Sequence, residues 1–122
     1  MLLEPEGIEV CGEAETLAEA RAALDPAAPD LVMVDLVLGL EDGTDLVREL
    51  AHGDPPLPVL VVSMHEGSHW VRRSLQAGAR GYVTKRETVD CLILAIRALA
   101  AGRSYLSPRA AEALRSEGLP IR

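Results

Sequence analysis

Two stretches, Leu31-Val-Met-Val-Asp-Leu-Val-Leu38 and Leu57-Pro-Val-Leu-Val-Val-Ser63, are continuous apolar runs rather than alternating ones. Runs of that length without polar alternation suit strands covered on both faces, the condition of a parallel sheet held between two layers of helices. The first run is broken by a single carboxylate, Asp35, and closed by a loop that contains Gly39 and Gly43. If the strand spans Leu31 to Val34, Asp35 stands just beyond its carboxyl end, where ligands and chemistry gather in open α/β sheets. An Asp that merely caps the following turn is the plainer alternative. The second run also ends in a small polar residue, Ser63.

The flanking segments read as helices and further strands. Met1-Leu-Leu-Glu4 resembles the last turn of a helix, followed by the breaker Pro5-Glu-Gly7. Ile8 to Glu13 alternates and suits a half-covered edge strand, and Thr16 can cap a helix from Leu17 to Leu24. Gly43 or Thr44 opens a short helix through Ala51, with Leu46, Val47 and Leu50 inward. A helix from Gly67-Ser68 to Ala77 turns Val71 and Leu75 inward and stops at Gly78. Arg80 to Lys85 is a short strand. Glu87 to Ala101 is a long helix with Val89, Leu92, Ile93, Ile96 and Leu99 inward, ended by Gly102. Ser104 to Pro108 is a turn, and Arg109 to Ser116 is a last helix. Strands alternating with helices predict an α/β fold, a doubly wound parallel sheet.

Composition narrows the function classes. A chain of 122 residues makes one domain, and with no Phe and only Trp70, Tyr82 and Tyr105 as aromatics its core must be aliphatic. The net charge of −7 disfavours any grip on nucleic acid by this chain itself. Cys11 and Cys91 are far apart and outside any Cys-x-x-Cys pattern, so they read as small hydrophobes in a reducing compartment. His65 and His69 have no third ligand nearby in sequence, so metal binding is not expected of them. The acidic start is unlike a signal peptide and no apolar run approaches a membrane span, so the expected location is cytoplasmic, with no membrane partner.

Three successive strands thus end in Asp35, Ser63 and Lys85, and parallel strands bring a carboxylate, a hydroxyl and an ammonium side by side. Together, in that order, they resemble the receiver domain of two-component response regulators. The likeness extends from Ile8 to Pro108 and includes Ala77-Gly-Ala-Arg-Gly-Tyr-Val-Thr-Lys85. The segment Ala95-Ile-Arg-Ala-Leu-Ala-Ala-Gly-Arg-Ser-Tyr-Leu-Ser-Pro108 resembles the NarL/FixJ-type subfamily, in which a receiver is joined to a LuxR-type helix-turn-helix domain. The resemblance implies a flavodoxin-like (CheY-like) fold. It implies that Asp35 is the phosphoacceptor, receiving its phosphoryl group from the phosphohistidine of a sensor histidine kinase, and that Ser63 and Lys85 bind the phosphoryl group. It also implies that Tyr82 turns inward as part of the switch, and that Mg²⁺ is the cofactor.

This sequence departs from the family pattern in several places. The first buried strand, the acidic pair that follows it and the first helix are not recognisable, which leaves Asp35 and the main-chain carbonyl of Val37 as Mg²⁺ ligands and opens the middle of the sheet. Gly39 and Arg86 stand where the family often has Pro. Leu94 occupies a position commonly polar, and with Cys91 and Val83 it is expected to extend an apolar patch used for homodimerisation through the last strand and the last two helices. The expected division is a receiver over residues 1–103, incomplete at its start, and a linker helix and tail over 104–122 toward an effector domain. The leading reading is a phosphoacceptor module, not an enzyme beyond weak autophosphatase activity, that controls transcription. The alternative is a phosphorylation-independent pseudo-receiver that acts by protein contact. A small α/β enzyme is disfavoured by the lack of a Gly-rich phosphate loop and of an acid/base pair.

Overall fold

The computed structural model describes residues 29–38 and 41–116, together with the helical, exposed positions Ala18, Glu19 and Ala22. The strand expected over Ile8–Glu13, Cys11, most of the helix expected over Leu17–Leu24 and the terminal tail lie outside the described residues.

From residue 29 onward the elements are β1 (Val32–Val34), β2 (Val37–Leu38), β3 (Glu41–Asp42), α1 (Gly43–Ala51), β4 (Val59–Ser63), α2 (Ser68–Ala77), β5 (Gly81–Thr84), α3 (Val89–Ala100), β6 (Tyr105–Leu106) and α4 (Pro108–Ser116). The strands β1, β4, β5 and β6 form one sheet in that order, all parallel. Val34 pairs with Val61 and Ser63 with Thr84, so the carboxyl ends of the first three strands finish together. A two-residue antiparallel ladder, β2 with β3, was not foreseen in the loop that follows Asp35.

The continuous apolar runs are explained by two cores, one on each face of the sheet. Val59, Val61 and Tyr82 face one way and meet Leu46, Val47 and Leu50 of α1, Val71 of α2 and Ala110 and Leu114 of α4. Leu60 and Val83 face the other way and meet Ile93, Ile96 and Leu99 of α3. Each such side chain, fully buried, contributes about 1.5–3 kcal/mol by removal from water. Gly81 is required where the sheet meets α3: a Cβ there would lie 2.8 Å from Leu60 Cδ1 and 3.0 Å from Leu99 Cδ1.

Helix ends follow their local sequence. Gly78, at φ 112, ends α2 in the left-handed conformation with its N–H on Leu75 O, as its sequence position predicts. Thr88 Oγ1 accepts from Cys91 N at 3.3 Å and starts α3. The stripe expected for α3 is corrected in register: Val89 is 42% exposed, while Cys91, Ala95 and Ala98 are buried beside Ile93, Ile96 and Leu99. Past residue 103, β6 extends the sheet and α4 seats Ala110 and Leu114 in the core.

Candidate functional site

The carboxyl ends of β1, β4 and β5 carry the residues that the sequence singles out. Asp35 follows β1 directly, and its Oδ2 accepts from Lys85 Nζ at 2.5 Å, across 50 positions of sequence. Both side chains remain partly exposed, 32% for Asp35 and 42% for Lys85. A carboxylate paired with an ammonium at the mouth of the sheet is a nucleophile with a fixed counter-charge beside it. Ser63, the last residue of the strand between them, is fully buried. Its Oγ accepts from His65 N at 3.2 Å, and its carbonyl accepts from Lys85 N at 2.8 Å, so the ladder holds the two strand ends in register up to the site.

Tyr82 lies inside the core rather than over it. Its hydroxyl donates to His65 O at 2.7 Å, and burial, the largest cause, pushes its pKa up to about 12. A hydrogen bond with Ser63 acts in the opposite direction, while the negative charges of Asp35 and Glu66 push it further up. The phenol therefore stays neutral and lies in the field of both carboxylates. Next to it in the fold, Thr84 is buried with no hydrogen-bond partner for its Oγ1. The His65 ring stacks on Trp70, with centroids 4.3 Å apart, which fixes the loop that follows Ser63 against the first turn of α2.

The loop after Asp35 is closed by backbone. Gly43 N donates to Leu36 O at 2.6 Å, and a Cβ at Gly43 would fall 2.5 Å from Asp35 O and 2.9 Å from Leu36 Cα. Only a residue without a side chain lets the start of α1 approach the backbone at Asp35 and Leu36 so closely. Leu36, 1% exposed, anchors the same loop in the core.

The expected interface patch is corrected in composition. Leu94 is 59% exposed, but Val83 is 2% exposed and faces α3 from the sheet, and Cys91 is 8% exposed with its Sγ 3.1 Å from the Tyr105 hydroxyl. Val83 is an odd-numbered strand position whose partner layer is α3, and Cys91 lies in the first turn of that helix among its buried residues, so neither adds to an exposed patch. Of the Mg²⁺ ligands expected, Asp35 is at the site. Val37 is in β2, two residues on. Among the described residues, no three His, Cys, Asp or Glu side chains group so as to hold a metal.

Sequence reasoning missed four residues around the site. Glu66, in the loop after Ser63, lies between Arg86 and Arg109, with N–O distances of 3.6 Å to each. Glu87 Oε1 accepts from Arg109 N at 2.9 Å. Arg86 was noted only for replacing a proline, and nothing in the linear pattern marked Glu66, Glu87 or Arg109.

Comparison with known proteins gives the family and the fold. The response regulator receiver domain profile matches residues 1–97. The chain is 33% identical to the response regulator GacA of Pseudomonas aeruginosa over 93% of its length and 53% of that protein's. It is 37% identical to the DNA-binding transcriptional activator DevR/DosR of Mycobacterium tuberculosis, over 91% of its length and 51% of that protein's. The chain thus spans about half the length of these relatives. A LuxR-family two-component response regulator from Aurantimonas sp. SI85-9A1 has a similar structure, with a TM-score of 0.77 and 35% identity, covering 83% of this chain and 72% of that one. The isolated receiver domain of RcsB from Salmonella enterica serovar Typhimurium has the same fold, with a TM-score of 0.80 at 23% identity, covering 91% of this chain and 83% of that one. With a matching profile over most of its length, relatives above 30% identity and the parallel sheet already described, the chain belongs to the response regulator receiver domain family.

Proposed function

We propose that this chain receives a phosphoryl group on Asp35 from the phosphohistidine of a sensor histidine kinase and relays that state to control transcription. The observation that carries the reading is the Asp35–Lys85 ion pair at the ends of β1 and β5, with Ser63 ending the strand between them. In the transfer, an Asp35 carboxylate oxygen attacks phosphorus in line. The bond from phosphorus to the imidazole nitrogen breaks, and that nitrogen leaves with the electron pair. Lys85 balances charge on the phosphoryl oxygens and the Ser63 hydroxyl donates to one of them. Lys85 is exposed enough to follow the oxygen from carboxylate to phosphoryl.

Asp35 and the main-chain carbonyl of Val37 would hold Mg²⁺, both being oxygen donors of the kind that ion takes. When bound there, the ion supplies charge neutralisation during transfer. Hydrolysis of the acyl phosphate would make the module a weak autophosphatase and nothing more as an enzyme.

DNA contact belongs to the part of the relatives that this chain does not span, and is supported by the name of DevR/DosR as a DNA-binding activator. The net charge of −7 speaks against such contact here. No helix among the described residues is long and apolar enough to cross a membrane, in keeping with a cytoplasmic module. Exposed Leu94 is the residue proposed for a homodimer contact.

A second reading is a phosphorylation-independent pseudo-receiver, in which Tyr82 stays fully inward and bonded to His65 O whatever the state of Asp35. Intact-mass analysis after incubation with acetyl phosphate, with and without Mg²⁺, separates the two. The first reading requires the gain of one phosphoryl group, lost in Asp35→Asn. A folded chain that gains none refutes it in favour of the second.

A further inference from the structure

The last helix is tied to the two loops that carry the phosphoryl-binding residues. Pro108 has no N–H, so Arg109 presents the first amide of α4, and that amide is bonded to Glu87 Oε1 at 2.9 Å. The next amide, of Ala110, donates to Ser107 Oγ at 3.3 Å. Glu87 is thus a carboxylate at the positive end of the helix, and it stands two residues after Lys85. Between them, Arg86 approaches Glu66, which also faces the Arg109 guanidinium. Glu66 Oε2 is shielded from solvent without a hydrogen bond, and the charges that face the carboxylate are these two partly exposed cations. Glu66 belongs to the loop after Ser63, the loop whose His65 is bonded at both N–H and C=O, to Ser63 Oγ and the Tyr82 hydroxyl.

From these contacts we infer that α4 is the readout element of the domain, its seat on α2 and β5 coupled to the state of Asp35 through Lys85-Arg86-Glu87 and through Ser63 and Glu66. The inference rests on Asp35 being the phosphoacceptor. When the phosphoryl group draws in the Ser63 hydroxyl, the His65 N–H loses its acceptor and the loop that holds Glu66 shifts. When it draws in Lys85, Arg86 and Glu87 move with the backbone. Both displacements loosen the hold on Arg109, so α4 loosens on phosphorylation. The apolar seat of Ala110 and Leu114 keeps it from leaving altogether. Coupling is reciprocal, so weakening the hold raises the affinity of the site for a phosphoryl mimic by the same factor.

Hydrogen exchange of the full chain, read by mass spectrometry with and without beryllofluoride and Mg²⁺, tests this, with fluorine NMR reporting whether beryllofluoride binds. The expected result is exchange across residues 109–116 faster by about fivefold or more, the lower end of ordinary coupling, with α3 unchanged. Arg109→Ala, which spares the core, is expected to bind beryllofluoride more tightly by a similar factor. Bound beryllofluoride with unchanged exchange in α4 overturns the coupling and leaves the phosphoacceptor reading standing. If beryllofluoride does not bind, that reading fails, and comparison of Asp35→Asn with the parent chain decides the coupling alone. A change in α4 exchange that spares α3 supports it, and identical exchange overturns it.

Discussion

Truncation of Leu114 to Ala measures how firmly the last helix belongs to the fold. Leu114 is 3% exposed and shares a core with Val71, Tyr82 and Ala110. Three carbons leave the interior, about 0.8 kcal/mol each in transfer, and the unfilled space adds a further cost, for a total of about 2–4 kcal/mol. The helix packs on one side only and can settle into part of the cavity, which places the expected loss near the lower half of that range, at about 2.5 kcal/mol. Urea denaturation followed by circular dichroism reads it directly. With a slope of about 1–2 kcal/mol per molar for a chain of this size, the midpoint should fall by roughly 1.2–2.5 M. Leu94→Ala, at 59% exposure, is the control and should stay within about 0.5 kcal/mol of the parent. A Leu114→Ala midpoint within about 0.3 M of the parent at an unchanged slope would refute the seating of α4. It would take with it the argument that residues 105–116 complete the domain.

Gly43→Ala should destabilise the chain by about 1–3 kcal/mol, because the new methyl would meet the backbone at Asp35 and Leu36; thermal unfolding at the parent's midpoint would show the close approach to be absent. Tyr82→Phe should cost about 0.5–1.5 kcal/mol through the lost bond to His65 O. Tyr82 and Tyr105 are both raised to about 12 by burial, from 10.0. The native state therefore holds more protons than the unfolded chain between those values, and stability, intact below pH 10, should fall as pH climbs toward 12. In Tyr82→Phe that alkaline decline should be shallower, and an equal slope in urea titrations across this range would sink the assignment. Leu94→Glu should weaken any self-association of the chain, and unchanged sedimentation profiles would remove α3 from the interface.

The parts of this fold legible in the sequence are those in which a residue's environment is set by its own element. Continuous apolar runs mark strands covered on both sides, and β4 displays the reason: Val59 and Val61 serve one core, Leu60 the other. The strand ends Asp35, Ser63 and Lys85 stood out because a polar residue after such a run needs an explanation. Gly78 was legible as a helix stop since its left-handed conformation follows from glycine alone. In α3 the same logic slipped. Ala and Cys are small enough to line the face against the sheet while the larger Val89 turns outward, and hydrophobicity by itself ranks those residues the other way. The pairing of β2 with β3 and the short β6 went unseen because two-residue strands carry no periodicity.

The hold on α4 was invisible for a different reason, and that reason bears on how such a module evolves its output. Glu66, Arg86, Glu87 and Arg109 are each unremarkable loop or helix-end charges, and their pairing exists only after β4 and β5 lie side by side. The reacting group is constrained by chemistry: a carboxylate, a hydroxyl and an ammonium must converge whatever the chain is wired to. The connection from that site to the next element has no such constraint, since any pair of opposite charges that bridges the loops after Ser63 and Lys85 to a docked helix would couple them. An exposed pair of this kind is worth only about 0.2–1 kcal/mol, yet a coupling of about 1 kcal/mol already shifts an equilibrium about fivefold. On the proposed function, weak, interchangeable contacts therefore suffice for signalling, while the carboxylate, hydroxyl and ammonium cannot be exchanged without losing the transfer chemistry. Arg86, standing where a proline would otherwise stiffen the turn, is such a change: it gives up a rigid connection after Lys85 and gains a charged one to Glu66.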